Sequence, residues 1–153
     1  MTTAQAIRFV SALVVFTGLI ACSQPLTLEQ RIISTIREME AKIENGESRA
    51  FMEHIAEDFS GQQEVLTRDQ VRAMVILQLH RHKRLQAQLF PIRVAESGEE
   101  FATAHFRALV TGGAGWIPES GQVYDFETRW QLVDDEWLLH SARWAPVALE
   151  QAL

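Results

Sequence analysis

The sequence predicts an α+β fold: three N-terminal helices packed on a curved antiparallel sheet of about four to six strands, shaped like a cone. Three observations carry that prediction. Apolar residues recur at helical spacing in the first half of the chain, and after Leu85 they switch to strict alternation. The helical stretches all precede the strand-like ones, which is the α+β order and not the interleaved order of a parallel sheet.

The elements follow in order. Thr27-Leu28-Glu29-Gln30 reads as a capping box, with Thr27 as N-cap and Gln30 at the third helical position. Behind it Leu28, Ile32, Ile36, Met39 and Ile43 form one apolar stripe, and Asn45-Gly46 stops the helix. A shorter second helix is predicted from about Ser48 to Ala56, burying Phe51 and Ile55, with Asp58-Phe59-Ser60-Gly61 as the turn after it. Thr67-Arg68-Asp69-Gln70 repeats the capping box and opens a third helix. Its residues Val71, Met74, Val75, Ile76, Leu77 and Leu79 make a broad apolar face, which predicts the best-buried helix of the three.

Strand periodicity begins at Leu85, Ala87 and Leu89, and Ile92 to Ala95 continue extended before a turn at Ser97-Gly98. Ala102, Ala104, Phe106, Ala108 and Val110 share one face of the next strand. Thr111-Gly112-Gly113-Ala114-Gly115 reads as a loop. Tyr124, Phe126, Thr128, Trp130 and Leu132 then alternate with charged and polar residues. Asp134-Asp135 is a tight turn, and the last strand runs from about Glu136 to Trp144, closed by Pro146. In that strand Trp137 has the opposite parity from Leu138, His140, Ala142 and Trp144. His105, Arg107, Glu127, Arg129 and Arg143 are predicted to share one charged sheet face with cross-strand ion pairs.

The chain has 153 residues, 47% of them hydrophobic and 22% charged, as befits one globular domain. Its net charge is −6, which suits nucleic acid poorly because phosphate contacts dominate that affinity. The single cysteine rules out an internal disulfide, so the core must hold by packing. That cysteine, Cys22, follows an apolar run from Phe9 to Ala21, too short for a comfortable bilayer span of about 20 residues. Leu19-Ile20-Ala21-Cys22 resembles the lipobox of bacterial lipoproteins, whose thiol carries diacylglycerol and whose new N-terminus is acylated, often with palmitate. The resemblance implies a signal peptide over residues 1–21, a lipidated tether over 22–26, the domain over 27–146 and a C-terminal tail over 147–153. It also implies anchoring to the periplasmic side of a membrane, the outer one favoured because Ser23, not Asp, follows the cysteine.

Four passages in the mature part resemble the nuclear transport factor 2-like superfamily, which holds the SnoaL-like polyketide cyclases and the ketosteroid isomerases. They are the amphipathic first helix, Phe51 to Phe59, Leu66 to Val71, and the hairpin from Thr128 to His140 with acidic residues between two Trp-bearing strands. The resemblance covers about residues 27–146. It implies a cystatin-like cone and often a homodimer, and it implies no single activity.

Asp58 is the first candidate for chemistry, since in superfamily enzymes a carboxylate near the cavity mouth acts as general base. Beside that role stands the plainer one of satisfying backbone groups in its turn. His140 and Tyr124 are the candidate assisting groups. The isomerase pattern needs an oxyanion hole from a Tyr and a protonated Asp. Tyr124, on a strand, does not match the superfamily's helical tyrosine, and no second cavity carboxylate is identified. For ligand contact the candidates are Phe106, Thr128, Trp130 and Trp144, with core packing as the plainer role of the tryptophans. Five histidines show no metal-ligand spacing, and the glycine-rich loop does not lead a strand into a helix, so neither a metal nor a cofactor is expected. Arg81 to Arg84 complements the dipole of a helix end. Three functions stay open: a non-catalytic binding or interaction module for a small apolar ligand or partner; a SnoaL-like isomerase, cyclase or hydratase with Asp58 as base; and a structural subunit of an envelope assembly.

Overall fold

The computed structural model describes residues 25–82, 84–96, 98–113 and 120–148. Cys22, the apolar leader, the first half of the tether and most of the C-terminal tail lie outside the described residues.

Helix α1 (Leu28–Glu44) starts with the full reciprocal capping box of Thr27 and Gln30 and buries Ile32, Ile36 and Met39. The short α2 (Ser48–Glu53) leads into strand β1 (Ile55–Gly61). This corrects the sequence reading, which carried the helix to Ala56 and made Asp58 to Gly61 a turn. The strand forms because β1 pairs in parallel with the last strand, about eighty residues away, a partner no local pattern announces. Helix α3 (Arg68–Arg81) opens with the second full capping box, at Thr67 and Gln70. Arg68 ties its start to the end of α2, donating to the carbonyls of Ile55 and Met52 at 3.0 Å each.

The remaining strands are β2 (Leu66–Thr67), β3 (Arg84–Leu89), β4 (Arg93–Glu96), β5 (Phe101–Gly113), β6 (Ser120–Val133) and β7 (Glu136–Val147). They join β1 in one mixed sheet of order β2-β1-β7-β6-β5-β3, with β4 also on β5. All pairings are antiparallel except β1 with β7. β5 and β6 are longer than expected. Thr111 to Gly113 continue the ladder, and Gly112 has no room for a Cβ because the His82 ring would lie 2.8 Å from it. Pro146 likewise sits inside β7, opposite Tyr124, and does not close it.

The edge strand β3 is tied to α1. Ala87 and Leu89 donate backbone N–H groups to the carboxylates of Glu44 (3.0 Å) and Glu40 (3.3 Å), which occupies donors an exposed edge would offer to another chain. Between β1 and β2, Gln62, Gln63 and Glu64 take three successive left-handed conformations, with φ of 49°, 61° and 70°. Each is disfavoured for a residue with a Cβ. The Gln62 amide compensates: it donates to Trp144 O (2.9 Å) and accepts from Trp144 N (3.3 Å), extending the β1–β7 ladder by a side chain.

The core lies between α1, α2 and the concave face of the sheet and centres on Ile32, Met52, Phe59, Trp130, Trp137 and Leu139. Helix α3 is not its best-buried helix. Val71 alone is buried there, while Ile76 and Leu77 are 51% and 45% exposed. The reason is what lies beneath α3: Val71, Met74 and Val75 border an open cavity, and the apolar residues on its other side meet solvent.

Candidate functional site

The cavity occupies about 620 Å³ between the second half of α1, α3 and the concave sheet face. Alternation along β5 and β6 builds its floor, since successive strand side chains point to opposite faces. Phe106, Phe126 and Trp144 stand side by side on three paired strands. Phe106 and Phe126 stack at 5.1 Å and 9°, Phe126 and Trp144 at 6.2 Å and 26°, and Tyr124 tilts against Phe126 at 6.3 Å. Thr128 and Trp130 close the narrow end. There the Trp130 indole N–H donates to the Thr128 hydroxyl at 2.9 Å, and that hydroxyl donates to Ala104 O at 3.0 Å. Both side chains are buried and spend their hydrogen bonds on each other and on the backbone.

All four residues expected to contact a ligand, Phe106, Thr128, Trp130 and Trp144, line this cavity, and so does Tyr124. Asp58 and His140 do not. Phe59 faces the cavity, so Asp58, its neighbour on β1, points away and is 74% exposed. His140 is the extra residue of a bulge in β7: Arg129 pairs with Ser141, but Trp130 pairs with Leu139. That bulge also corrects the parity of the last strand. It turns Trp137 and Leu139 to the same side as Ala142 and Trp144, so all four reach the core or the cavity. Asp58 Oδ1 and His140 Nδ1 come within 3.4 Å of each other outside the cavity, without hydrogen-bond geometry, and Nδ1 is buried without a hydrogen-bond partner. The expected trio of Asp58, His140 and Tyr124 is therefore split, two outside and one inside.

Four polar residues that line the cavity were not predicted: Glu40, Gln78, His82 and Gln122. A signal for three of them exists in the sequence. Glu40 falls on the α1 stripe four residues after Ile36, and Gln78 and His82 follow Val71, Met74 and Val75 at the same spacing. A polar residue on an apolar stripe marks a place where the stripe faces something other than packed core. Glu40 is already engaged, with Arg37 at 2.9 Å as well as Leu89 N.

The convex face is the opposite kind of surface. Rows of paired residues cross it: Arg93, His105, Glu127 and Arg143 in one, Thr103, Arg129 and Ser141 in the next, Arg107 and Asp125 in a third. Arg143 bonds Glu127 directly, as the alternation predicted for this face.

No protein-family model matches the chain, and no curated protein matches its sequence. Solved structures do match in fold. A nuclear transport factor 2-like protein with a cystatin-like fold from Novosphingobium aromaticivorans superposes with a TM-score of 0.66 at 19% identity, covering 81% of this chain and 84% of its own. A candidate dehydratase of the nuclear transport factor 2-like family from Streptomyces avermitilis gives 0.66 at 14%, covering 78% and 95%. Bd1075 of Bdellovibrio bacteriovorus gives 0.68 at 8%, covering 77% of this chain, which spans only 41% of the Bd1075 chain. The fold is thus the cystatin-like cone of nuclear transport factor 2-like proteins.

Proposed function

We propose that this chain, with its nuclear transport factor 2-like cone, is an envelope lipoprotein that holds a small apolar ligand in the cone without transforming it. One observation carries the reading. The cavity is walled by apolar and aromatic side chains, its buried polar pair Thr128 and Trp130 is satisfied internally, and the carboxylate of Asp58 lies outside it. Burial of apolar ligand surface then supplies the affinity, and few polar groups are left to fix orientation. The anchor rests on Leu19 to Cys22 and the length of the apolar leader. The test is native mass spectrometry of the full chain extracted from bacterial membranes. The expected mass shows loss of residues 1–21, acyl groups on Cys22 and a non-covalent apolar adduct. A protein that retains Met1 in the membrane-free fraction contradicts the anchor, and one that carries no adduct and takes up no apolar probe contradicts the ligand.

A second reading, a SnoaL-like enzyme, draws on the Tyr124 hydroxyl, which faces the cavity with no hydrogen-bond partner among the described residues, and on the candidate dehydratase of the same fold. It requires Tyr124 to work with a group other than Asp58, and Asp58→Asn then leaves turnover intact. The homodimer and the assembly subunit draw on the convex charge rows, which carry both signs on one face. Sedimentation of wild type against Arg143→Glu tests both.

A further inference from the structure

Helix α3 carries apolar side chains around most of its circumference, and the cavity accounts for only the inner ones. Val71, Met74 and Val75 turn inward, whereas Ala73, Ile76, Leu77 and His80, at helical spacing, form one outward line. Ile76 and Leu77 on that line are about half exposed. The contrast with α1 shows that this is particular to α3, since every exposed position of α1 is charged, polar or alanine. Met74 is exposed and also borders the cavity, so the outward line and the cavity adjoin. Helical spacing sets Arg72 and Arg81 on opposite flanks of the line. Arg72 pairs with Asp69 at 3.3 Å, while Arg81 is exposed and forms no salt bridge among the described residues.

An apolar line edged by arginines matches the surface of an anionic bilayer. There the aliphatic side chains enter the acyl boundary, and the arginines bury their stems and reach the phosphates. Two further observations favour this helix over the rest of the surface. Helices α1 and α3 cover the same cavity from the same side of the sheet, and Thr27, which caps α1, stands five residues after Cys22. Five extended residues reach at most about 18 Å, so an anchor at Cys22 lets the helical side lie flat on its own membrane. The hairpin tip, by contrast, exposes Asp134, Asp135 and Glu136, and the approach to β5 exposes Glu99 and Glu100, all of which an anionic surface repels. We infer that the outward line of α3 docks on the anionic bilayer that holds the anchor, and that the apolar ligand passes between that bilayer and the cone alongside Met74.

This inference rests on the anchor and apolar-ligand readings, and the test separates it from them. The acylated full chain with Leu77→Cys, its one free thiol once lipid occupies Cys22, is spin-labelled in vesicles of three parts phosphatidylethanolamine to one part phosphatidylglycerol. The label at position 77 is expected to meet dissolved oxygen and to escape a water-soluble nickel chelate, whereas a label at Ala145→Cys, on the convex face, meets the chelate. Arg81→Gln should lower the ratio of docked to free label about fivefold in these vesicles and leave it unchanged in phosphatidylcholine. Ile76→Glu should slow transfer of an apolar fluorescent probe from vesicle to cone at least about fivefold, with affinity for the probe unchanged. A label at position 77 as open to the chelate as the one at 145, or one broadened by a neighbouring label because a second copy covers the line, overturns this inference and leaves the anchor and the ligand standing. Probe transfer as fast in Ile76→Glu as in wild type overturns the passage alongside Met74. A mass that shows Cys22 unacylated overturns the anchor and this inference together.

Discussion

The two faces of one sheet carry opposite chemistries on neighbouring residues. Thr128 is buried on the concave face with its hydroxyl doubly used, and Glu127 and Arg129 beside it stand on the convex face in rows of charge. The difference teaches that, in this domain, hydrogen bonds on the inside fix the wall of a cavity, whereas ion pairs on the outside stay in contact with solvent. Substitutions on the two faces should therefore differ in size and in kind.

The largest effect is expected from Trp130→Ala at the narrow end of the cone. Trp130 is 2% exposed, and removing it should cost about 3–5 kcal/mol in denaturant unfolding. A cost under about 1 kcal/mol would mean that the concave wall is not packed as described. Thr128→Val follows. It removes the acceptor of the Trp130 N–H and the donor to Ala104 O, and about 1–3 kcal/mol should be lost with little change in shape. On the convex face, Glu127→Gln should cost no more than about 1 kcal/mol, because Arg143 is half exposed, and the cost should shrink as salt is raised. Asp58→Asn is expected to do least, within about 0.5 kcal/mol of wild type and with apolar-probe affinity unchanged. Loss of that affinity would return Asp58 to the cavity and break the division between the faces.

The sequence made local features plain and long-range ones opaque. The capping boxes at Thr27 and Thr67, the alternation of Ala102 to Val110 and of Tyr124 to Leu132, and the Asp134-Asp135 turn all stand where their neighbours dictate. Ile55 to Gly61 reads locally as a helix end and a turn, and only pairing with the distant strand β7 makes it a strand. One extra residue, His140, reverses the facing of everything after it in β7, which is why period-two counting set Trp137 against Ala142 and Trp144. The apolar breadth of α3 was legible, but not that a cavity and not a core lies beneath it. Of the site, the aromatic floor was readable from parity. Glu40, Gln78 and His82 were readable only as interruptions of an apolar stripe, and Gln122 only by extending the parity of Tyr124 one step past the last apolar residue.

The most direct test of the division is nuclear magnetic resonance of the full chain under xenon pressure, because xenon enters apolar cavities and ignores charged surfaces. Methyl signals of Ala108, Val110, Leu139 and Ala142 on the cavity wall should shift in saturable fashion, while those of Ala95 and Ala145 on the convex face hold still. Shifts confined to the convex methyls, or none at any pressure, would contradict the account.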